Sequence, residues 1–186
     1  MGQPGTGKST FLHTFARLYA DRLLALPAAG SSGANLGYGR SYGGGERGLS
    51  VAVQYDFAFG QRRRGVVRLI DTAGLPDGLP PQAFEREWLV GTLKTVYVSD
   101  VVLHMMDAAE AGDDLAVAVA EVDRVLAAYG QGRPGYALLA NKMDLPAAQW
   151  GLLRLRETFP HNYIIPVSAL QGTGFRLVEG FLARQF

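Results

Sequence analysis

The stretch that decides the fold is Gly2-Gln3-Pro4-Gly5-Thr6-Gly7-Lys8-Ser9, which fits the pattern G-x-x-x-x-G-K-[ST]. A loop of this pattern wraps nucleotide phosphates, because its glycines allow tight turns that aim successive N–H groups at the β-phosphate. Lys8 then neutralises the β- and γ-phosphate oxygens, and the Ser9 hydroxyl is placed for Mg²⁺. By itself the pattern also fits a glycine-rich turn. The residues predicted to bind the phosphates are Gly2, Gln3, Pro4, Gly5, Thr6, Gly7, Lys8, Ser9 and Thr10.

A helix is predicted directly after this phosphate loop, which we define as residues 2–9. Phe11, Leu12, Phe15, Leu18 and Tyr19 recur at the spacing that places apolar side chains on one helical face. The N-terminus of such a helix carries a partial positive charge and also meets the phosphates.

The strand that ordinarily delivers such a loop to the edge of a sheet is missing from this sequence, because Met1 directly precedes Gly2. Met1 can itself be the last residue of that strand, and we expect an upstream segment. Without it, the strands that end at Ile70 and Asp107 are expected to face each other across a gap with unpaired backbone groups. Marginal stability of the chain alone is the expected consequence.

Length and composition predict one domain over residues 1–186 with a sizeable core, since 48% of the residues are hydrophobic. A net charge of +1 argues against a dedicated nucleic-acid surface, and no apolar run is long enough to span a membrane. The chain has no cysteine, which fits a reducing, cytoplasmic location. Lysine occurs only at Lys8, Lys94 and Lys142, and Lys8 and Lys142 lie in nucleotide motifs that need an ammonium.

Residues 27–48 form a polar, glycine-loaded stretch, which is typical of either a functional lid or a disordered linker. The β-rich runs at 49–59 and 66–70, joined by 60–65, predict a hairpin. Three arginines at 62–64 occupy its tip. They are either solvated or in contact with RNA or acidic lipid.

Beyond the hairpin, strand and helix patterns alternate, which predicts a three-layer α/β fold with a mostly parallel sheet and helices on both faces. The apolar run 100–107 is typical of a buried strand, so His104 is expected in the core. A helix over 113–129 is expected to turn Leu115, Val119, Val122, Val125 and Leu126 inward. The other predicted helices are 84–96, 147–158 and 175–183, and the other strands are 136–140 and 162–167.

A second motif, Asp71-Thr72-Ala73-Gly74, follows the strand that ends at Ile70. A carboxylate there can hold Mg²⁺ through a water, and the N–H of Gly74 can reach a γ-phosphate. Alone, this motif is an ordinary turn.

Two further motifs concern the base. Asn141-Lys142-Met143-Asp144 follows a predicted strand, and the Asp144 carboxylate can accept two N–H bonds from guanine that adenine does not offer. The Asn141 amide supports the loop, and the stem of Lys142 covers the base. In Ser168-Ala169-Leu170, after the next strand, a backbone N–H can meet the keto oxygen of guanine.

The four motifs together resemble P-loop GTPases of the translation-factor-related class, in particular the Era-type and TrmE-type small G domains. These carry G-x-x-x-x-G-K-S, D-x-x-G, N-K-x-D and S-A in the same order, and the resemblance covers nearly the whole chain. It implies Mg²⁺-dependent hydrolysis of GTP to GDP and phosphate, with the two nucleotide states forming a conformational switch. Lys8 and Gly74 are then catalytic, and Ser9 and Asp71 are metal ligands.

The chain departs from this family at three positions. The family's threonine that completes the Mg²⁺ shell is absent, and Ser50 is the expected substitute, with Ser41 as its rival. Leu75 stands where Ras-type proteins have a glutamine that orients water, so slow intrinsic turnover is implied. Gly5 replaces the asparagine of potassium-activated members, so potassium stimulation is not expected.

Arg47 is a further catalytic candidate. It lies three residues before Ser50, the spacing at which the α subunits of heterotrimeric G proteins carry an arginine that reaches the γ-phosphate. This resemblance is confined to residues 47–50. The alternative is an ordinary solvated arginine.

Two other functions compete with a GTPase switch. An AAA-type ATPase shares the residues 4–9, but it needs an Asp-Glu pair that this chain lacks. A scaffold that binds GTP without hydrolysing it is compatible with the absent glutamine. The expected partners are a guanine nucleotide and an unidentified effector or activating protein. RNA or ribosome binding is not carried over, because the RNA-binding domain of Era-type proteins has no counterpart here.

Overall fold

A computed structural model describes residues 1–24, 51–59, 63–113 and 119–185 of the chain. Strands and helices alternate along most of it, as the sequence predicts. The helices are α1 Lys8–Tyr19, α2 Ala83–Val98, α3 Ala108–Asp113, α4 Glu121–Gly130, α5 Ala148–Thr158 and α6 Phe175–Leu182. The strands are β1 Ala20–Leu24, β2 Val51–Phe59, β3 Arg63–Asp71, β4 Val102–Asp107, β5 Tyr136–Asn141 and β6 Ile164–Pro166.

The described strands form two three-stranded sheets. One is antiparallel with the order β1-β2-β3, and the other is parallel with the order β4-β5-β6. Strands β2 and β3 pair from Val51 opposite Asp71 to Phe59 opposite Arg63, which confirms the predicted hairpin and places Asp71 at its open end. The predicted tip at 60–65 is too long, because Arg63 and Arg64 belong to β3 and pair with β2. Strand β1, which pairs with β2, was not predicted from the sequence.

Met1 lies beside strand β4. Its amino nitrogen donates a hydrogen bond of 2.8 Å to the carbonyl oxygen of Leu103, and its own carbonyl accepts one of 2.8 Å from the N–H of Met105. The two bonds flank His104 in the pattern of parallel pairing. Met1 therefore takes a strand position next to β4, and the phosphate loop starts from the carboxyl half of that strand.

Helices cover both faces of the parallel sheet. Because successive side chains of a strand point to opposite faces, Ala137 and Leu139 of β5 join one core cluster, and Leu138 and Ala140 join another. The first cluster includes Phe15 of α1 and residues of α6, and the second includes residues of α3, α4 and α5. Each fully buried leucine adds about 1.5–3 kcal/mol of stability. The fold is thus a three-layer α/β arrangement that holds the carboxyl ends of β4, β5 and β6 at one edge.

The helix expected over 113–129 is wrong in its boundaries. The chain forms the short helix α3 before this region and helix α4 from Glu121, and 114–118 lie outside the described residues. Val125 is 58% exposed, whereas Leu126 is 5% exposed and Asp123 only 3%. The inner face of α4 therefore includes a carboxylate, that of Asp123, which a search for apolar periodicity passes over.

Candidate functional site

The phosphate loop turns against strand β4 at glycines that no other residue replaces without a clash. Gly2 has a φ of +141°, and a Cβ there would lie 2.1 Å from the carbonyl oxygen of Met105. Gly7 has a φ of +92°, and a Cβ there would lie 2.4 Å from the side-chain nitrogen of Asn141. Both positions combine a left-handed backbone with close approach of a neighbour, which only glycine accepts. Helix α1 begins directly afterwards, at Lys8.

Inside the loop, the carbonyl oxygen of Gln3 accepts two hydrogen bonds. The Lys8 ammonium donates one of 2.6 Å and the Thr6 hydroxyl donates one of 2.9 Å. Burial lowers the pKa of Lys8, and the charges of Asp71 and Asp123 act in the opposite direction. The ammonium therefore lies within the loop, close to two carboxylates, where a bound phosphate would find it.

Ser9 and Asp71, the two described residues predicted to hold Mg²⁺, are in direct contact. The Ser9 hydroxyl donates a hydrogen bond of 2.5 Å to Oδ2 of Asp71, although the residues lie 62 positions apart. Asp71 is the last residue of β3, and Ser9 lies in the first turn of α1. Among the described residues, no group of three or more His, Asp or Glu side chains forms a metal cluster. Ser9 and Asp71 thus offer two adjacent hard oxygen atoms.

The segment after β3 also contacts the phosphate loop. The N–H of Leu75 donates a hydrogen bond of 3.0 Å to the carbonyl oxygen of Gly2. A Cβ on Gly74 would lie 2.7 Å from the backbone nitrogen of Pro4. The Leu75 side chain is 1% exposed. The second motif therefore packs on the first, and the position of the Ras-type glutamine carries a buried hydrocarbon side chain.

Asn141, at the end of β5, joins two motifs. Its side-chain nitrogen donates a hydrogen bond of 2.7 Å to the carbonyl oxygen of Thr6, and its side-chain oxygen accepts one of 2.8 Å from the N–H of Ala169. The residue is 2% exposed. One buried amide therefore ties the phosphate loop to the Ser168-Ala169-Leu170 segment.

The Asp144 carboxylate is held by Ser168. The Ser168 hydroxyl donates a hydrogen bond of 2.5 Å to Oδ1 of Asp144 and accepts one of 3.1 Å from the N–H of Gln171. Ser168 is completely buried, whereas Asp144 is half-buried. A fully buried serine with both its donor and acceptor used fixes one oxygen of the carboxylate and leaves the residue accessible to a ligand.

Lys142 has a left-handed backbone with φ +65°, and its ammonium forms an ion pair with Asp107 at the end of β4. Its side chain remains 35% exposed. Leu170 is 74% exposed and Thr10 is also exposed. These residues lie at the edge of the site, with little contact to its buried part.

Three predicted site residues, Arg47, Ser50 and its rival Ser41, lie outside the described residues, as does the whole stretch 27–48. The four motifs that do fall within the described chain meet at one edge of the sheet. Of the predicted set, the structure brings together Lys8, Ser9 and Asp71 on one side and Asn141, Asp144 and Ser168 on the other.

A buried polar network behind the phosphate loop was not predicted from the sequence. It consists of Gln3, Asp123, His104 and Tyr136, linked by three hydrogen bonds of 2.6 to 2.8 Å. His104 is completely buried, as expected, but it is not an apolar core residue. Burial lowers its pKa. The sequence offers one weak signal for this network. Asp123 lies on a predicted amphipathic helix, with Val122 before it and Arg124 and Val125 after it.

A cavity of about 320 Å³ lies at the opposite edge of the parallel sheet, at the start of β5. Arg133, His161, Asn162 and Arg184 are among its lining residues. None of the four motifs contributes to it.

Of the helices in the described part of the chain, none has the length and apolar character needed to cross a bilayer.

Comparison with solved structures shows similarity to the cytosolic domain of L. pneumophila FeoB, with a TM-score of 0.54 and 15% identity over 100% of this chain and 61% of that one. The SsGBP variants G235P and G235S are similar too, each with a TM-score of 0.51 and 16% identity over 98% of this chain. The chain spans 54% and 52% of their lengths. No protein-family model and no curated protein sequence matches the chain. At this identity the likeness establishes the fold alone, a three-layer α/β arrangement with a parallel sheet and helices on both faces.

Proposed function

We propose that this chain binds GTP and GDP and hydrolyses GTP to GDP and phosphate, with the two nucleotide states acting as a conformational switch. The hydrogen bond from Asn141 to the phosphate loop carries the proposal, because it brings the phosphate motif and the two base motifs into one site. The structural similarity to SsGBP is compatible with this proposal.

Recognition of guanine rests on Asp144. A carboxylate accepts the two N–H bonds that guanine presents, and the 2.5 Å bond from Ser168 keeps it in place. The N–H groups of Ser168 and Ala169 already donate to Thr173 and Asn141, so the N–H of Leu170 is the one in this segment that meets the keto oxygen. The Lys142 stem covers the base. Because charge-assisted hydrogen bonds contribute about 1.5–3 kcal/mol each, this set is sufficient to discriminate guanine from adenine.

Mg²⁺ fits the oxygen pair of Ser9 and Asp71, since this ion prefers hydroxyl, carboxylate and water ligands. Ser9 would bind the ion directly and Asp71 through a water, and Ser50 or Ser41 would complete the set. When bound, the ion neutralises charge on the β- and γ-phosphates. The Ser9 hydroxyl donates its proton to Asp71, so the lone pairs of its oxygen would stay available to the ion.

Hydrolysis requires a water oxygen to form a bond with the γ-phosphorus while the bond from that phosphorus to the bridging oxygen breaks. GDP leaves with the bridging oxygen, and the protons of the water stay on the released phosphate. Lys8 neutralises charge on the transferring group, and the N–H of Gly74 donates to a γ-phosphate oxygen. Arg47 from the same chain, or an arginine from an activating partner, supplies a second cation. Since Leu75 is a buried hydrocarbon, no side chain at that position orients the water, and intrinsic turnover is slow.

A GTP-dependent scaffold without hydrolysis is the second candidate, favoured by the burial of Leu75. Multiple-turnover phosphate release with GTP and with ATP, at matched Mg²⁺ concentrations, separates the functions. Release from GTP alone supports the proposal. Binding of GTP without release, with or without added cell extract, supports the scaffold, and equal activity with ATP refutes guanine specificity.

A further inference from the structure

The buried polar network behind the phosphate loop joins residues from four parts of the fold. The side-chain nitrogen of Gln3 lies 2.6 Å from Oδ2 of Asp123 in α4. Oδ1 of Asp123 lies 2.8 Å from Nε2 of His104 in β4, and Nδ1 of His104 lies 2.6 Å from the hydroxyl of Tyr136 in β5. The exposed fractions of His104, Asp123 and Tyr136 are 0%, 3% and 4%, so the network is shielded from solvent.

One arrangement of protons accounts for all three hydrogen bonds of the network. The Asp123 carboxylate only accepts, so the Gln3 amide donates to one oxygen and the Nε2–H of a neutral His104 donates to the other. Nδ1 of His104 is then an acceptor, and the Tyr136 hydroxyl donates to it. A buried carboxylate with a donor at each oxygen has a fixed position, because moving it leaves one of these groups unpaired.

Gln3 connects this network to the phosphate-binding lysine. Its side chain is held by Asp123, while its carbonyl oxygen accepts from the Lys8 ammonium and from the Thr6 hydroxyl. The position of Gln3 therefore determines where the Lys8 ammonium lies before any ligand binds. Gln3 is the second residue of the phosphate loop, at a position that the motif itself leaves open.

We propose that Asp123, fixed by His104 and Tyr136, is a positioning residue that acts through Gln3 to hold the phosphate loop in its binding shape in the absence of nucleotide. A loop that is already ordered loses less conformational freedom on binding. The inference rests on the proposed function only in the identity of the ligand. The ordering of the free loop is a separate property of the chain.

The direct test removes the Gln3 side chain. Gln3→Ala should weaken binding of a fluorescent GDP analogue about tenfold, which corresponds to about 1.4 kcal/mol. The matched control is Gln131→Ala, which truncates an exposed glutamine at the end of α4 and should change the affinity less than twofold. Equal affinities of the wild type and Gln3→Ala would overturn the inference.

Hydrogen exchange of the nucleotide-free protein gives a readout that does not need a ligand. Peptides covering residues 2–8 should exchange at least fivefold faster in Gln3→Ala than in the wild type or Gln131→Ala. If the wild type binds neither GDP nor GTP, the proposed function fails while this measurement still decides the positioning role. Unchanged exchange refutes that role, whatever the protein binds.

Exchanging the amide of Gln3 with the carboxylate of Asp123 distinguishes a positioning role from a general contribution to stability. Gln3→Glu sets a carboxylate against Asp123 and should weaken GDP binding about a hundredfold. Adding Asp123→Asn restores one amide and one carboxylate with the net charge of the wild type, and it should recover at least tenfold of the loss. His104→Gln, which keeps a donor and an acceptor, should bind GDP within twofold of the wild type. His104→Leu, which keeps neither, should bind GDP more weakly than that. No recovery in the double variant would overturn the inference.

Discussion

Asn141 donates a hydrogen bond of 2.7 Å from its side-chain nitrogen to the carbonyl oxygen of Thr6, a residue 135 positions earlier in the chain. The bond is buried, and the same side chain accepts from the N–H of Ala169. Because a single amide serves both loops, a change at this residue is expected to affect phosphate and base recognition together.

Asn141→Ala is therefore expected to lose detectable GDP binding and about 2–6 kcal/mol of unfolding free energy, since it leaves one buried carbonyl and one buried N–H unpaired at about 1–3 kcal/mol each. The matched control is Asn162→Ala, which removes a 2.9 Å bond to the carbonyl oxygen of Ala127 away from the motifs. Chemical denaturation and GDP titration at a temperature where both variants are folded provide the measurement. A GDP affinity that is equally low in both variants would attribute the loss to stability alone.

Asp144→Asn is expected to lose GTP affinity and to gain affinity for xanthosine triphosphate, because the amide replaces an acceptor by a donor. One lost charge-assisted bond with an unpaired donor corresponds to about 2–3 kcal/mol, or roughly thirty- to two-hundredfold. Calorimetric titration with GTP, ATP and xanthosine triphosphate measures this. Ser168→Ala, which removes the bond that fixes Asp144, should weaken GTP binding without the gain for xanthosine. Wild-type binding of ATP as tight as that of GTP would contradict the assignment.

Removal of Mg²⁺ should distinguish the effect of substituting Lys8 on nucleotide binding from the effect of substituting Ser9. Lys8→Ala is expected to abolish nucleotide binding with or without the metal, because the proposed role of its ammonium is a direct contact with phosphate. Ser9→Ala should weaken GDP binding only when Mg²⁺ is present. Titrations in Mg²⁺ and in EDTA measure both effects, and the same Mg²⁺ dependence in Ser9→Ala as in the wild type would exclude Ser9 as a metal ligand.

Arg47 stays a prediction from the sequence, because it lies outside the described residues. Arg47→Ala should lower single-turnover GTP hydrolysis at least tenfold and change GTP affinity less than about threefold, the pattern of an interaction made only in the transition state. Arg40→Ala, a neighbour in the same stretch, is the control. Unchanged hydrolysis would point to an arginine from a partner, and a parallel loss of binding would refute the catalytic role.

The buried His104 should make stability depend on pH. Its pKa in the folded protein lies below the ordinary value of 6.5, mainly because of burial, although Asp123 opposes the shift. Below pH 6.5 the unfolded chain therefore binds more protons than the folded one, and the unfolding free energy falls as the pH falls, by at most about 1.4 kcal/mol per pH unit. The groups that face His104 are Asp123, Tyr136, Lys8 and the Met1 amino group.

The contribution of His104 is isolated by His104→Gln, which keeps both hydrogen bonds and does not titrate. Denaturation between pH 5 and 7.5 should show a steeper loss for the wild type than for His104→Gln. His161→Gln, which removes an exposed imidazole, should keep the wild-type slope, and parallel curves for all three proteins would contradict the prediction.

Local patterns predicted much of this site. Gly2, Gly7, Asp71 and Asn141 stand at turns or strand ends whose conformation depends on the nearest few residues, and the carboxyl ends of parallel strands share one edge of a sheet. Such positions can therefore be found, and placed near one another, from spacing alone. The continuous apolar run over 100–107 likewise predicted the buried strand that the structure shows as β4.

The sequence by itself thus determined the phosphate loop, the three further motifs and the α/β alternation, since each depends on contacts between near neighbours in the chain. Only the tertiary structure decided that strand β1 pairs with β2, that α4 turns Asp123 and not Val125 inward, and that this carboxylate meets Gln3. The reason is physical: Gln3 and Asp123 lie 120 residues apart. A hydrogen bond between two polar groups becomes favourable only when packing has removed both groups from water. No periodicity in the sequence indicates which polar groups will be buried together.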